Sequence, residues 1–369
     1  MSGPAEAVQE KHLLFTGFPG FIGRRLIQAL AVQEPAYYFH LLTLPHFTAK
    51  AEEEIHVLDG RVPGLAQRVQ IHPGDITSPR LGLATPDYER LASKCRYVYH
   101  LAAIYDLAVA KQPAYRINLD GTSHVLDFCA AAKVDRLVYF STCYVSGKRG
   151  GTVYEHELFV GQQFKNYYEE TKCKAEIEVR KRMDHIPTVI IRPAIVIGDS
   201  RTGETNKYDG PYYIISLLAD FQRRGWLVNG MPFPLLGPGA ATVNLIPIDY
   251  LIDVTAALDK HPEAIGMTFQ VADPQPLRVS AVLKEIARRF DMNVIGQVPM
   301  FTVELALSLP GIAEFVGIPK QSLAYFDHHV NYDTTNVTRI LGGTPVCPQL
   351  ETYLDVIVDF VRKHPRPPA

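Results

Sequence analysis

The sequence predicts an α/β protein: a doubly wound parallel sheet followed by a smaller, mostly helical C-terminal domain. Two observations carry this. Through the first half, short runs of β-branched and aromatic residues alternate with longer helical patterns. The first such run also leads straight into a glycine-rich turn and an amphipathic helix. Near-continuous apolar strands separated by helices indicate a parallel sheet covered on both faces.

The strands are expected at residues 12–16, 37–44, 68–72, 96–102, 136–142 and 188–193. Helical stretches such as GFIGRRLIQALAVQ and GTSHVLDFCAAAK lie between them. After Gly198 the texture changes to a polar loop, a helix pattern over about 212–224, and the Pro/Gly-rich stretch GMPFPLLGPGA. The run TVNLIPIDYLIDVTAALDK again reads as a strand entering a helix, which returns the chain to the sheet. The expected division is 11–200 plus 240–275 for the sheet domain, and 201–239 plus 276–365 for the second domain. Phe301 to Gly317, cut by Pro310 and Gly311, reads as a helix pair covering an apolar pocket, because a Pro-Gly pair punctuates elements; a membrane-touching lid is the other reading.

The first strand opens into Thr16-Gly17-Phe18-Pro19-Gly20-Phe21-Ile22-Gly23. Gly17 permits the tight turn, Gly20 lets backbone approach a pyrophosphate, and Gly23 lets the helix pack on the strand. The following helix presents free N–H groups and its positive dipole end to phosphates. This is the Rossmann arrangement for a dinucleotide. Asp75 and Ile76, after the third strand, stand where an adenine could be held; an ordinary turn aspartate is the other reading. Leu101, Ala102 and Ala103, after His100, put small residues where backbone must approach a cofactor.

The end of the second strand distinguishes the two nicotinamide dinucleotides: an acid takes the ribose 2′-hydroxyl, an arginine a 2′-phosphate. YYFHLLTLPHF shows no acid in reach, while Arg24 opens the first helix within reach of the adenosine ribose. The pattern favours NADP(H) over NAD(H), against the plain alternative of a solvated helix-face arginine.

Tyr168 and Lys172 stand four residues apart in YEETKCKAEIEVRKR, hence on one helix face. A nearby ammonium favours the phenolate, so the tyrosine can exchange a proton with a carbonyl or alcohol oxygen. Tyr144 and Lys148 share the spacing, but Gly147 interrupts that pair. Thr142, at the carboxyl end of the fifth strand, can donate to a developing oxyanion, with Ser141 as its competitor. Tyr105, Asp106, Cys143, Tyr144 and Tyr212 are candidates for a pocket wall; packing is the other reading for each.

The set TGFPGFIG, HLAA, INLDGT, FSTCYVSG, YEETK and IIRPAIVIG runs in order over about residues 12–260. It resembles the extended short-chain dehydrogenase/reductase family. The resemblance implies Thr142, Tyr168 and Lys172 as the catalytic triad, Asn118 as a supporting polar residue, and Pro193 near the nicotinamide. Within the family, STCYVSG and the approach GTVYEHELFVGQQFKNYYEETK are most similar to the thioester-reductase and fatty-acyl reductase branch. That branch reduces an acyl thioester to an aldehyde, sometimes to the alcohol, with NADPH. The chain departs from modular thioester reductases in having no carrier or adenylation domain, and from sugar-nucleotide epimerases in reading YVSG where they usually read VYG.

Bulk properties exclude other classes. Hydrophobic content of 47%, charged content of 21% and a net charge of −2 give no electrostatic attraction for nucleic acid or anionic lipid. Five scattered cysteines show no metal-ligand spacing and no disulfide framework, which suits a reducing cytoplasm. No stretch has the ~18 apolar residues of an integral membrane segment, and MSGPAEAVQEKHLLF lacks the pattern of a signal peptide. The expectation is an NAD(P)H-dependent oxidoreductase that reduces a carbonyl of a largely apolar small molecule: an acyl thioester, aldehyde or ketone. A sugar-nucleotide epimerase or dehydratase retaining NAD is one alternative. A non-catalytic dinucleotide-binding redox sensor is another, against which the complete triad speaks. Helices near 117–132 and 167–183 offer a homodimer face by analogy with relatives.

Overall fold

The computed structural model describes residues 10–236, 239–309, 323, 325 and 328–365. The chain forms two compact units: 1–145, 167–192 and 252–269 in the first, and 146–166, 193–251 and 270–369 in the second.

The first unit holds β1 (Lys11–Thr16), α1 (Phe21–Gln33), β2 (Tyr37–Thr43), α2 (Thr48–Arg61), β3 (Val69–Pro73), α3 (Thr85–Lys94) and β4 (Tyr97–His100). It continues through α4 (Lys111–Ala114), a π-helical stretch Tyr115–Asp120, α5 (Gly121–Ala132) and β5 (Arg136–Phe140). After β6 (Gly151–Val153), which falls in the second unit, come α6 (Tyr167–Lys181) and β7 (Thr188–Pro193). The seven-stranded sheet has the order β11-β7-β5-β4-β1-β2-β3, where β11 is Thr268–Val271. Its pairings from β3 across to β7 are parallel. The chain adds β2 and β3 on one side of β1 and then crosses to place β4 on the other. That reversal opens a crevice beyond the carboxyl ends of β1 and β4, where ligands of such sheets bind.

The strands are apolar almost throughout because both faces are covered. Leu13, Leu14, Phe15, Val98, Tyr99, Leu137, Tyr139, Ile190 and Ile191 are all fully buried. On α1 the buried residues are Gly23, Leu26, Ile27, Leu30 and Ala31, the stripe of a helix lying on a sheet. Val125, Leu126 and Cys129 of α5 and Ala175 and Val179 of α6 complete a core with Leu14, Val98, Leu137 and Ile190.

The second unit contains β8 (Ile195–Ile197) paired with β10 (Leu245–Pro247), β9 (Pro232–Leu236) with β12 (Asn293–Val298), and β6 with β13 (Val330–Tyr332). Its helices include α7 (Tyr212–Arg223), α9 (Val279–Arg288), α10 (Met300–Leu307), α11 (Thr335–Leu341) and α12 (Leu350–Lys363). α8 (Ile248–Asp259) begins in this unit and ends in the first. Ile215 and Leu218 of α7 pack with Leu283 and Ile286 of α9 and with Leu354, Ile357 and Val358 of α12.

This division differs from the sequence expectation at its borders: 146–166, 193–200, 240–251 and 270–275 cluster with the second unit. The reason is pairing. β8 joins β10 and β6 joins β13, neither of which has a partner in the large sheet. The helix pair expected over Phe301–Gly317 is seen only as α10; residues 310–317 lie outside the described ones.

Candidate active site

The glycine turn follows β1 directly. Gly17 has φ +93°, and a Cβ there would stand 2.9 Å from the Ala102 nitrogen and from Leu101. A Cβ at Gly20 or Gly23 would come 2.7 Å from the Gly17 carbonyl oxygen. All three glycines are therefore required by the turn folding back on itself against the strand β4 exit. Gly20 caps α1 with no side-chain hydrogen bond, and no acid lies in the first helical turn, so the N–H groups that follow Pro19, at Phe21 and Ile22, keep an anion-binding character. Phe18 is buried.

Arg24 lies one residue beyond the turn. Its Nη1 donates to both carboxylate oxygens of Glu54 on α2, each at 2.9 Å, while its Nε is buried without a partner. The second strand carries no acid, as its sequence reads, yet a carboxylate does meet Arg24. The acid comes from α2, not from the end of β2, so the strand's sequence did not reveal it. Asp75 forms an Asx turn, Oδ1 accepting the Thr77 N–H at 2.8 Å. Ile76 is buried where a Cβ at Gly121 would touch it, at 2.8 Å.

Tyr168, Thr142 and Lys172 come together in the first unit. Thr142 follows β5, and α6 carries the other two on one face. Tyr168 hydrogen-bonds the Thr142 side chain, whose Oγ1 also accepts the Tyr144 N–H at 3.2 Å. Lys172 Nζ donates to the Phe140 carbonyl at 2.6 Å and to the Tyr139 hydroxyl at 3.1 Å, and lies 4.6 Å from the Tyr139 ring centroid. Burial drives the lysine down to about 7, opposed by the Glu176 carboxylate. Burial drives the Tyr168 phenol well above its ordinary value, and the Thr142 hydrogen bond pulls it back. The expected lowering of the phenol by the ammonium is not what this geometry gives, because Lys172 is turned toward Tyr139 and a carbonyl.

Ser141, the competitor of Thr142, is committed elsewhere: its hydroxyl donates to Glu176 Oε2 at 2.6 Å. Glu176 in turn accepts from Arg192 at 2.6 and 3.0 Å, with both side chains fully buried. Cys143 is buried and its thiol donates to the Arg192 carbonyl, a packing role. Tyr144 and Lys148 share no helix: Cys143–Ser146 is a single 3-10 turn ended by Gly147 at φ +60°.

Asn118 is buried in the π-helical stretch. Its Nδ2 donates to Thr171 Oγ1 and the Ile104 carbonyl, and its Oδ1 accepts the Ile104 N–H. It ties the loop after β4, which contains Ala103, to α6, so both amide hydrogens are spent on protein. Tyr105 is 44% exposed and its ring meets that of Tyr168 edge-on at 5.1 Å. Asp106 turns its carboxylate to the Ala108 N–H. Tyr212 belongs to the core of the second unit, stacked on Tyr208 and accepting the Gly198 N–H at 2.8 Å, the packing place that was its other reading. Pro193 ends β7.

Residues 15–255 match the NAD-binding family described as male sterility protein. The chain belongs to that family. A non-canonical nonribosomal peptide synthetase of Aspergillus campestris is 26% identical over 293 residues, 71% of this chain but only 26% of the synthetase. A putative fatty acyl-CoA reductase of Drosophila melanogaster is 23% identical over 73% of this chain and 57% of its own length. The chain thus spans a part of the curated relatives it matches. Among solved structures, the terminal R domain of the myxalamid biosynthetic pathway superposes with a TM-score of 0.81 at 23% identity, covering 98% of this chain and 93% of that domain.

The region matched to the male sterility protein family takes in the glycine turn, Thr142, Tyr168 and Lys172. A nicotinamide dinucleotide is the cofactor such a region binds, and the uncapped start of α1 and the unpartnered Arg24 Nε fit it. Sequence reasoning missed Glu54, Tyr139, Thr122, His100 and Glu176. Glu176 left a trace four residues after Lys172 on the same helix face, and His100 and Thr122 lie inside the motifs HLAA and INLDGT without a role being read for them. Among the described residues no cluster could hold a metal ion, and no helix is long and apolar enough to cross a membrane.

Proposed function

We propose that this chain is an NAD(P)H-dependent reductase of carbonyl groups, with an acyl thioester, aldehyde or ketone as substrate. The observation that carries the reading is the convergence of Thr142, Tyr168 and Lys172 beyond the carboxyl end of β5, in the unit that holds the glycine turn. A reduced nicotinamide, when bound, supplies the hydride. Gly17 to Gly23, with Asp75, Ile76 and the backbone of Leu101 to Ala103, would hold the dinucleotide.

Tyr168 donates its proton to the substrate oxygen as that oxygen gains charge. Thr142 donates a hydrogen bond to the same oxygen and aligns the phenol. Lys172, kept as an ammonium and held by Tyr139 and the Phe140 carbonyl, has an N–H for the cofactor ribose. With an aldehyde or ketone the carbonyl carbon gains the hydride, its oxygen gains the proton, and an alcohol results. With a thioester, cleavage of the C–S bond after hydride addition releases a thiol and an aldehyde. Tyr105, edge-on to Tyr168, is assigned to the wall beside the reacting oxygen, and the second unit to substrate binding.

Arg24 is proposed as the contact for a 2′-phosphate, so NADPH is the preferred reductant once Glu54 yields. The test is to follow nicotinamide absorbance with NADPH or NADH and a panel of acyl thioesters, aldehydes and ketones. NADPH-selective consumption with thioesters, abolished in Tyr168→Phe, supports the reading. Full turnover in Tyr168→Phe would remove the tyrosine from the chemistry.

A further inference from the structure

Three histidines form a ladder across the sheet, and none of them belongs to the site described above. His12 on β1, His40 on β2 and His72 on β3 share the face that carries Leu14 and Leu42, because alternate strand residues point the same way. His12 Nδ1 lies 3.0 Å from His40 Nε2, and His40 Nδ1 lies 3.0 Å from His72 Nε2. His40 is buried and the two outer histidines are partly buried. At one end His12 Nε2 stands 3.4 Å from the Glu10 carboxylate. At the other, His40 and His72 line a cavity of about 390 Å³, with Arg90 and Lys94 of α3 on its opposite wall.

Counting hydrogens limits what the ladder can do. A neutral imidazole has one N–H donor and one bare acceptor nitrogen. Three of them carry three hydrogens, two of which fill the N···N gaps. The third sits at an end, on His12 Nε2 or on His72 Nδ1. Glu10 draws it to His12, which leaves His72 Nδ1 a bare acceptor with no protein partner among the described residues. One added proton keeps both gaps filled and gives each end an N–H. A second would put two hydrogens into one gap. The ladder therefore stores one proton, and storing it turns His72 Nδ1 from acceptor to donor.

The empty ladder resists that proton. Burial drives His40 down to about 3, with His72, His12 and Lys94 adding to the effect. Burial lowers His12 against the pull of Glu10, with Lys94 adding, and lowers His72 against Asp87, with Arg90 adding. Tyr38 also faces the ladder, its ring 5.2 Å from those of His12 and His40. A negative ligand is what would load it. Arg90 and Lys94 stand four apart on one face of α3; Arg90 pairs with Asp87 at an exposed position, and Lys94 meets no acid among the described residues.

We propose that this cavity binds the phosphate group of a small molecule or free phosphate, and that each anion bound is accompanied by one proton stored on the histidine ladder. Three donors, His72 Nδ1, Arg90 and Lys94, suit the oxygens of a tetrahedral anion. The anion and the stored proton compensate each other's charge. Linkage is reciprocal, so the proton tightens the anion as much as the anion tightens the proton. The site does not depend on the reductase reading, since no catalytic residue takes part in it.

The probe is inorganic sulfate, a tetrahedral anion that does not itself titrate near neutral pH. Imidazole 15N NMR on the full chain reads which ring nitrogens carry hydrogen, and calorimetry in two buffers of different ionisation heat counts the protons. At pH 6, sulfate is expected to convert His72 Nδ1 from bare to N–H with uptake approaching one proton per ion. Raising the pH from 6 to 7 weakens binding by up to about tenfold, the limit for one linked proton. The exposed double change Arg90→Gln with Lys94→Gln abolishes the His72 response. His40→Leu lets His72 present Nδ1–H by changing tautomer alone, so sulfate binds without proton uptake. His12→Leu, at the partly buried end, frees the remaining pair to reverse and gives the same result. A phosphomonoester that binds tighter than inorganic phosphate assigns the rest of the cavity to an organic group; equal affinity assigns the site to the free ion. An unmoved His72 at pH 6, a response that survives the double change, or wild-type binding without proton uptake overturns the proposal.

Discussion

Glu54 grips Arg24 through a single guanidinium nitrogen, both carboxylate oxygens 2.9 Å from Nη1. The pair is mostly buried, with 20% and 14% of the side chains exposed. A 2′-phosphate competing for this arginine must displace the carboxylate or share it. Glu54→Gln is therefore expected to tighten NADPH about tenfold, the effect of ~1.4 kcal/mol, and to leave NADH within about twofold by the same arithmetic. Arg24→Ala does the reverse, weakening NADPH alone. Nicotinamide fluorescence titrations decide it: an NADPH-to-NADH affinity ratio indifferent to both changes removes Arg24 from the phosphate site.

The lysine gives the reaction its pH dependence. With Lys172 brought down to about 7 by burial, the ammonium that the reduction needs is present below that pH and lost above it. Since kcat/KM reports the free enzyme, the reductive kcat/KM should fall on the alkaline side with a midpoint near 7. A profile flat to pH 9 would show that Lys172 keeps its proton despite its burial.

The same lysine burdens the fold. Its folded midpoint lies below the ~10.4 of an exposed lysine, so between these values the unfolded chain binds the extra proton. The cost is full below pH 7, shrinks as pH rises, and vanishes above about 10.4. Lys172→Met should thus be more stable at pH 6.5, by about 1–2 kcal/mol after its lost hydrogen bonds are counted. The gain should shrink toward pH 10. Thermal melts at the two pH values test the sign.

Glu176 and Arg192 form a fully buried ion pair with Ser141 attached. Glu176 is the carboxylate shared by Arg192 and Arg180, so Glu176→Ala should cost about 3–5 kcal/mol, and Arg192→Ala less, because Arg180 still meets the carboxylate. Urea denaturation reads this directly, and Ser141→Ala should cost only about 1–2 kcal/mol by leaving one charge-assisted bond unmade. A cost below that of Ser141→Ala would show that the carboxylate is solvated.

Gly17→Ala should abolish dinucleotide binding, since its Cβ would meet the Ala102 nitrogen at 2.9 Å at a φ of +93°. The backbone would have to open the turn to accept it. Isothermal titration with NADPH checks this, and binding at the wild-type affinity would mean that the turn can widen without loss.

Local signals were readable in the sequence. The apolar strand runs, the glycine spacing and the Tyr168–Lys172 interval are set by residues close in the chain, where period and turn chemistry act. What stayed hidden depends on pairings between distant segments. Glu54 reaches Arg24 from the next helix, and His100 meets Thr122 and the Tyr139 ring only because β4, α5 and β5 are neighbours. The short strands β6 and β13 were invisible because three-residue pairs such as Val330 with Gly151 carry no period of their own. Tyr212 looked like a pocket residue by type, but its place in a helical core follows from partners on α9 and α12.

The sheet takes its seventh strand, β11 at Thr268–Val271, from more than seventy residues after β7. During synthesis the outer edge of β7 therefore remains unpaired until Thr268–Val271 has emerged from the ribosome. A nascent chain stalled earlier would carry a bare parallel edge, a template for pairing with another chain. Translation speed and chaperone access between β7 and β11 would then govern the yield of native protein, independently of how stable the finished fold is.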